Sequence, residues 1–252
     1  MHVVICGFSR SGTTLLYNLL LNSVRNFAFL DSEVPALSRI GDDDLVTKRP
    51  LDIFNVEMIA QQKASRNLDV RFLIMVRDPR DLLLSRHKQV PDDYFMDADH
   101  CYFLGKDRIS KTNPGVLPTY EKLLALAATP ALAGRLCCFK YEELVENLDA
   151  AQALCESAFG FDFAKPLSSF YRAETVSAPD FKTADGMAVA LNGVRPVDTA
   201  SRGRWVRDPE RIVAQFTRHP GLFTMLEALG YETGHAWFDD LKARAGEGAA
   251  GA

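Results

Sequence analysis

A glycine-containing segment, GFSRSGTT (residues 7–14), lies between two apolar stretches near the start of the chain. The preceding HVVIC predicts a buried strand, and the following LLYNLLLNS predicts a helix. The N–H groups of such a turn and of the first helical turn point toward one spot, which favours an anion. The segment therefore predicts a phosphate-binding loop. The alternative is a tight strand-to-helix turn with two incidental glycines.

The loop lacks the lysine that a nucleoside triphosphatase or kinase places after the second glycine to bind the β- and γ-phosphates. Thr13 occupies that position, and the positive charge lies two residues before Gly12, at Arg10. No predicted strand ends in a clear carboxylate for magnesium. These features argue against a kinase or nucleotidase acting on a small substrate. That class and a non-catalytic nucleotide-binding module stay the alternatives.

A second motif, VRDPRDLLLSRH, joins the end of a predicted strand to a helix. Arg77 ends the strand, and Ser85 follows eight residues later, two turns into the predicted helix. The planar guanidinium group suits a phosphate, and the hydroxyl group adds a further hydrogen bond. The alternative is a structural helix start, in which Arg77 pairs with Asp78 or Asp81.

Together the two motifs resemble those of sulfotransferases that use 3'-phosphoadenosine 5'-phosphosulfate (PAPS). GFSRSGTTLL is similar to the 5'-phosphosulfate loop of this family, in the arginine form of tyrosylprotein and many bacterial carbohydrate sulfotransferases. Arg77 and Ser85 have the spacing of the family's 3'-phosphate motif. The resemblance implies a P-loop-like fold, PAPS as donor, PAP as product and no metal requirement. It also implies donor binding by Arg10, Ser11, Gly12, Thr13, Thr14, Arg77 and Ser85.

Two later segments extend the resemblance. FKYEELVENL resembles a family strand end whose tyrosine, here Tyr141, lies near adenine; a core tyrosine is the alternative. SRGRWVRDPERI resembles the loop that closes over the nucleotide, and its alternative is a basic loop with a core tryptophan. Leu15 departs from the pattern, since many cytosolic members have a tryptophan there that stacks on adenine. In the closing loop, the resemblance implies that Ser201, Arg202 and Gly203 contact the 3'-phosphate and that Trp205 anchors the loop.

Sulfuryl transfer requires positioning and charge stabilisation more than covalent help, so the site needs a cation for the leaving oxygen and a base for the acceptor proton. Arg10 is one candidate cation. Lys48 is the other, because it resembles the family's lysine-then-proline strand end. Glu33 resembles the glutamate after the first helix in tyrosylprotein sulfotransferases and is the predicted base, with His87 and His100 as rivals.

The acceptor is predicted to bind in a segment rich in aromatic and acidic residues, PDDYFMDADHCYFLGKDR. Aromatic rings suit stacking on a sugar or phenol, and the polar groups suit hydrogen bonds to hydroxyls. An ordinary insertion packed on the core has the same composition. The candidate acceptor-binding residues are His87, His100 and Tyr102, and the pattern leaves saccharide, lipid, peptide and small alcohol acceptors open.

Three strand-then-helix units must position these residues. The predicted strands lie in HVVICGF, DVRFLIMVRD and RLCCFKY, each followed by a helical pattern, which predicts an α/β fold with a central parallel sheet flanked by helices. We expect one domain over residues 1–240. It contains an insertion with short helices at 89–120 and a nucleotide-closing loop at 177–204. Residues 243–252 predict a disordered tail.

Composition further restricts the classes of function that the sequence suggests. The 252-residue chain has a net charge of -4, which argues against a broad basic surface for nucleic acid. The five cysteines show no metal-binding spacing. No apolar run reaches the roughly 20 residues of a membrane span, and no signal peptide is evident. The sequence predicts a cytoplasmic enzyme with a small-molecule or saccharide acceptor and leaves the oligomeric state open.

Overall fold

The computed structural model describes residues 1–87, 89–104, 108–172, 181–182, 188–189, 197 and 199–250. The chain divides into two compact units. Unit 1 comprises Met1–Arg77 and Lys122–Thr199, and unit 2 comprises Asp78–Glu121 and Ala200–Ala252. The single domain expected over residues 1–240 stays a prediction.

Strands and helices alternate along most of the described chain. The strands are β1 (His2–Gly7), β2 (Ala28–Phe29), β3 (Leu45–Lys48), β4 (Val70–Val76), β5 (His100–Leu104), β6 (Ile109–Pro114), β7 (Leu136–Lys140), β8 (Phe181–Lys182) and β9 (Ala188–Val189). The α-helices are α1 (Thr13–Leu21), α2 (Val56–Ala64), α3 (Pro79–Leu83), α4 (Val116–Ala127), α5 (Tyr141–Glu146), α6 (Leu148–Phe159), α7 (Pro209–Arg218), α8 (Gly221–Ala228) and α9 (Ala236–Ala250).

Unit 1 contains a five-stranded parallel sheet with the order β2-β3-β1-β4-β7. In the register of the central strand, Val3 lies opposite Val46 on one side and Arg71 on the other. Strand β1 is buried along its whole length, as expected for a central strand covered on both faces. Helix α1 packs Leu16 and Leu19 into the same core. The predicted α/β fold is confirmed, and its three predicted strands are β1, β4 and β7.

Unit 2 contains a hairpin where the sequence predicted short helices. Within 89–120 the described residues form a 3-10 turn at Pro91–Asp93, the antiparallel pair β5–β6 and the start of α4. The prediction of short helices was therefore wrong for the residues of the hairpin, while the 3-10 turn and the start of α4 are helical. The apolar and aromatic side chains of HCYFL are mostly buried in this hairpin, and such residues favour strands.

Aromatic side chains join the last three helices of unit 2. The ring of Phe216 in α7 lies 5.0 Å from those of Phe223 in α8 and Trp237 in α9. Helix α9 continues to Ala250. This corrects the prediction of a disordered tail from residue 243 for the residues that the structure describes. The segment ARAGEGAA contains good helix formers, which extend a helix that already began at Ala236.

Most of the predicted closing loop, 177–204, lies outside the described residues. Its described parts are the short antiparallel pair β8–β9, residue 197 and residues 199–204. In the part of the chain that the structure covers, no helix combines the length and the apolar character that crossing a bilayer requires.

The imidazole ring of His2 is fully buried at the start of β1, where its Nε2 lies 2.8 Å from Oγ1 of Thr47. Burial, and secondly the positive charge of Lys63, lower the pKa of His2 to about 3. In the unfolded chain, His2 binds a proton below about pH 6.5, whereas in the folded protein it stays neutral at this pH. The contribution of the neutral ring to the free energy of unfolding is therefore complete above this pH, and it is lost as the pH falls toward 3.

We predict that the free energy of unfolding falls by about 2 kcal/mol between pH 7 and pH 5 through His2 alone. Urea denaturation at pH 7, 6 and 5 measures this change. His2→Gln should remove most of it, whereas the matched control His235→Gln, at an exposed ring, should leave it in place. An unchanged pH dependence in His2→Gln would contradict the prediction.

Candidate functional site

The predicted site residues of unit 1 gather at the carboxyl ends of four neighbouring strands. Lys48 ends β3, the segment 8–12 follows β1, Arg77 follows β4 and Tyr141 follows β7. Parallel strands place their carboxyl ends at one edge of the sheet, where ligands of open α/β sheets bind. The sheet thus brings together residues that lie up to about 130 positions apart in the sequence.

The glycine-containing loop is closed by Ser11. Its hydroxyl donates to the carbonyl oxygen of Phe8 at 2.6 Å, and its backbone N–H donates to the same oxygen at 3.3 Å. Arg10 has a positive φ of 68°, which is uncommon for a residue other than glycine, and its side chain is exposed. The turn therefore buries Ser11 and presents Arg10 to solvent.

Helix α1 begins at Thr13. Its N-cap residue is Gly12, and no side chain of the described residues caps the N–H groups of the first turn. Its first turn contains no acidic residue. Because the first N–H groups of a helix lack partners within the helix and carry a partial positive charge, this end can hold an anion. Thr13, the first residue of the helix, is buried, and Thr14 is half-buried.

Gly12 has a φ of 91°, and a Cβ atom built on it would lie 2.6 Å from Cδ2 of Tyr141. Only glycine accommodates both this backbone conformation and the approach of the ring. The guanidinium carbon of Arg77 lies 4.4 Å from the centroid of the same ring. Nη1 of Arg77 also donates to the carbonyl oxygen of Arg10 at 3.2 Å. Tyr141 thus orients Arg77 against the loop.

Lys48 and Glu33 form a direct ion pair between Nζ and Oε2. Both side chains are largely buried, with 4% and 12% of their surface exposed. The predicted cation and the predicted base are therefore in contact. Removing either charge would leave the other in a poorly solvated position, so each of the two side chains depends on its partner.

The segment that carries Glu33 is held at both ends by side chains that sequence reasoning missed. The hydroxyl of Tyr17 donates to the carbonyl oxygen of Leu30 at 2.7 Å and accepts from the N–H of Leu30 at 2.6 Å. The carboxylate of Asp52 accepts from the N–H of Ala36 at 2.8 Å. In the sequence, both residues lie in apolar stretches and give no functional signal.

In unit 2, Ser85 lies beyond helix α3 and not inside it. The helix ends at Leu83, and the N–H of Ser85 donates to the carbonyl oxygen of Leu82 at 2.9 Å. The carbonyl oxygen of Ser85 accepts from the N–H of Phe95, which directs the chain out of the helix. The predicted position two turns into the helix was therefore wrong, while the role of Ser85 stays a prediction.

The three candidate acceptor-binding residues lie in unit 2. Nδ1 of His87 accepts from the N–H of Gln89 at 3.2 Å, and the ring of His100 packs edge-on against Tyr102 at 5.5 Å. Nε2 of His100 lies 3.9 Å from a carboxylate oxygen of Asp97. Tyr102 lines a cavity of about 370 Å³ together with Gln89, Val90, Pro91, Ile109, Ser110 and Lys111.

The described part of the predicted closing loop also lies in unit 2. Arg202 and Gly203 are exposed and Ser201 is half-buried, while the ring of Trp205 packs against the guanidinium group of Arg80 at 4.1 Å. Throughout the described ranges, no three His, Cys, Asp or Glu side chains are grouped closely enough to hold a metal ion.

A family model described as "Sulfotransferase domain" matches residues 1–155, which is more than half of the 252 residues. A comparison with curated protein sequences finds no match. One similar solved structure is titled "Sulfotransferase Domain from the Curacin Biosynthetic Pathway"; it is 14% identical, covers 85% of this chain and 96% of its own, and gives a TM-score of 0.45.

We predict that Asp52→Ala lowers the free energy of unfolding by about 1–3 kcal/mol, because the buried N–H of Ala36 loses its acceptor. Urea denaturation measures the loss, and faster hydrogen exchange at the amide of Ala36 locates it. Asp69→Ala, at a carboxylate that is half exposed, is the matched control and should cost less than about 0.5 kcal/mol. Equal effects of the two substitutions would contradict the prediction.

Proposed function

The chain belongs to the sulfotransferase family, and we propose that it transfers a sulfuryl group from PAPS to a hydroxyl or amine of an acceptor. One observation carries the proposal. The matched region contains the candidate anion-binding loop, and Arg77, at the end of the neighbouring strand, contacts the backbone of that loop. A cationic fork fixed beside such a loop suits a nucleotide with two separate anionic groups.

In this proposal, the first turn of α1 and the loop bind the 5'-phosphosulfate end of the donor. The residues involved would be Arg10, Ser11, Gly12, Thr13 and Thr14. Uncapped helix N–H groups supply dipoles, and the exposed guanidinium group of Arg10 supplies a full charge. The absence of a lysine after Gly12 separates this loop from one built for a nucleoside triphosphate with magnesium.

Arg77 is proposed to bind the 3'-phosphate of the donor. Its stacking on Tyr141 and its hydrogen bond to Arg10 hold the planar guanidinium group in one orientation. A fork of N–H donors that is already oriented loses less side-chain entropy when it binds phosphate. Ser85, Ser201, Arg202 and Gly203 stay predictions of the sequence motifs for the same phosphate, and Tyr141 stays one for adenine.

When bound, the donor supplies an activated sulfuryl group on a phosphate leaving group. Glu33 would accept the proton of the attacking hydroxyl or amine as the new bond to sulfur forms. Lys48, with Arg10 as the second candidate, would stabilise the charge that develops on the bridging oxygen as its bond to sulfur breaks. The ion pair holds the two groups within reach of each other before the reaction.

The acceptor is proposed to be a small molecule such as a saccharide, because the aromatic and polar side chains around Tyr102 suit a sugar ring. The reaction as written needs no metal, since positive side chains supply the charge. We further propose that the enzyme works in the cytoplasm. A panel of saccharides, phenols, lipids and peptides, incubated with PAPS labelled in the sulfuryl group, identifies the acceptor class directly.

We predict that PAP raises the melting temperature without magnesium and does so more than ADP or AMP at equal concentration. The reason is that neither ADP nor AMP has the 3'-phosphate that Arg77 would bind, and at equal concentration the ligand that binds the folded state more tightly stabilises it more. Differential scanning fluorimetry gives the shifts, and calorimetric titration gives the dissociation constants. Arg77→Ala should weaken PAP binding about 10-fold or more with the fold retained.

Arg39→Ala is the matched control, because this arginine of unit 1 is partly exposed and pairs with Asp42. It should leave PAP affinity unchanged. Equal shifts for PAP and ADP would contradict the proposed function and favour a nucleotidase or kinase. Unchanged PAP affinity in Arg77→Ala would make Arg77 a structural residue.

With an acceptor identified, Glu33→Gln should lower turnover about 100-fold or more while PAP affinity changes little, which is the usual scale for a lost base. Lys48→Met should also lower turnover. An acceptor with a lower hydroxyl pKa should rescue Glu33→Gln better than Lys48→Met, because an acidic nucleophile needs less help in losing its proton while the leaving group is unchanged. Initial rates with a series of acceptors measure this asymmetry.

Both substitutions disrupt a buried ion pair, so circular dichroism and melting curves must first show that each variant is folded. The double variant Glu33→Gln/Lys48→Met restores neutrality and separates lost stability from lost chemistry. Near-normal turnover in Glu33→Gln, together with a collapse in His100→Ala, would move the base to unit 2.

A further inference from the structure

A buried arginine at the start of helix α3 holds two tryptophans of unit 2. The guanidinium carbon of Arg80 lies 4.1 Å from the ring centroid of Trp205 and 4.6 Å from that of Trp237. Its N–H groups donate to Asp78 at 2.8–3.2 Å and to Glu232 at 2.5 Å. With only 4% of the side chain exposed, Arg80 is fixed by two carboxylates and fixes the ring of Trp205 in turn.

Asp81, the next residue, holds the backbone beside that ring. One carboxylate oxygen accepts from the N–H of Gly203 at 2.9 Å, and the other accepts from the N–H of Trp205 at 3.0 Å. Asp81 is only 3% exposed. Two hydrogen bonds to one buried carboxylate are charge-assisted and are stronger than bonds between neutral groups. The segment is therefore held through its backbone at Gly203 and Trp205.

Gly203 lets the two amides reach one carboxylate. Its φ of 62° and ψ of 22° lie in the left-handed region, which glycine adopts without strain. A Cβ atom at this position would meet nothing within 4 Å. The requirement for glycine thus comes from the backbone conformation and not from lack of space.

The side chains of this held segment are basic and exposed. Arg202, Arg204 and Arg207 occur within six residues, and all three are exposed. A carboxylate close to a phosphate would oppose its binding, but Asp81 is buried and accepts hydrogen bonds with both oxygens. The arrangement exposes cationic side chains on a backbone whose shape is fixed by the buried carboxylate of Asp81.

We infer that Asp81 is a positioning residue, which holds the loop of Ser201, Arg202 and Gly203 in the shape that binds the 3'-phosphate of the donor. The inference rests on the proposed function, in which this loop contacts that phosphate. Asp81 does not touch the phosphate itself; it acts through the amides of Gly203 and Trp205. It therefore contributes to selectivity for a nucleotide with a 3'-phosphate over one without it.

Calorimetric titration with PAP and with AMP tests the inference, because the two nucleotides differ only by the 3'-phosphate. Asp81→Asn places an amide NH2 group where one backbone N–H needs an acceptor. We expect about 10-fold weaker binding of PAP and less than about 2-fold change for AMP. Asp239→Asn, at an exposed carboxylate of the same unit, should leave both affinities unchanged.

A combined variant separates positioning from general stability. If Asp81 acts through the loop, Asp81→Asn should cause no further loss of PAP over AMP selectivity in an Arg202→Ala background. A purely structural carboxylate would lower the affinity for both nucleotides in either background. If Asp81→Asn does not fold, Gly203→Ala is the second test, since it strains the loop without a clash and should reduce PAP affinity selectively.

Equal loss of PAP and AMP binding in folded Asp81→Asn would overturn the inference, and so would a PAP to AMP ratio equal to that of the unmodified protein. Failure of the proposed function has a different signature. In that case the unmodified protein itself would bind PAP no better than AMP, and the inference would fail with it.

Discussion

The approach of the Tyr141 ring to the backbone of Gly12 is the contact on which the candidate site depends. A side chain at Gly12 would enter the ring, so the loop can adopt its shape only with glycine at this position. The same ring also positions Arg77, whose guanidinium group stacks on it and donates a hydrogen bond to the loop backbone. One aromatic ring thereby sets the distance between the candidate anion-binding loop and the guanidinium group of Arg77 from a neighbouring strand.

Buried charges organise the rest of the two units. Lys48 pairs with Glu33 in unit 1, and Arg80 pairs with Asp78 and Glu232 in unit 2. Because an ionised group that leaves water is costly unless it is paired, each of these groups has a narrow range of stable positions. Fixed charges of this kind cost little reorganisation when a reaction develops charge beside them.

Hydrogen bonds to backbone groups hold the segments that carry function. Tyr17 and Asp52 hold the ends of the segment around Glu33, and Asp81 holds the segment around Gly203. In each case a buried polar side chain satisfies backbone groups that no helix or strand pairs. Such contacts set the shape of a loop while leaving its own side chains to meet a ligand.

The sequence by itself determined the α/β fold, the strands β1, β4 and β7, the glycine-containing loop between β1 and α1, and the position of Arg77 at a strand end. These features follow from local patterns, since apolar runs, glycines and helix-start residues act over a few neighbouring positions. The two-residue strand β2 was missed because it is too short to show a pattern.

Only the tertiary structure decided the features that depend on distant partners. Ser85 leaves helix α3 because its carbonyl group accepts a hydrogen bond from the N–H of Phe95, a partner that lies beyond the reach of the helix-start pattern. The pairing of Lys48 with Glu33 and the anchoring of Gly203 by Asp81 join residues 15 and 122 positions apart. A carboxylate in an apolar sequence stretch does not reveal its partner, because the partner is selected by packing, and packing is a property of the whole fold.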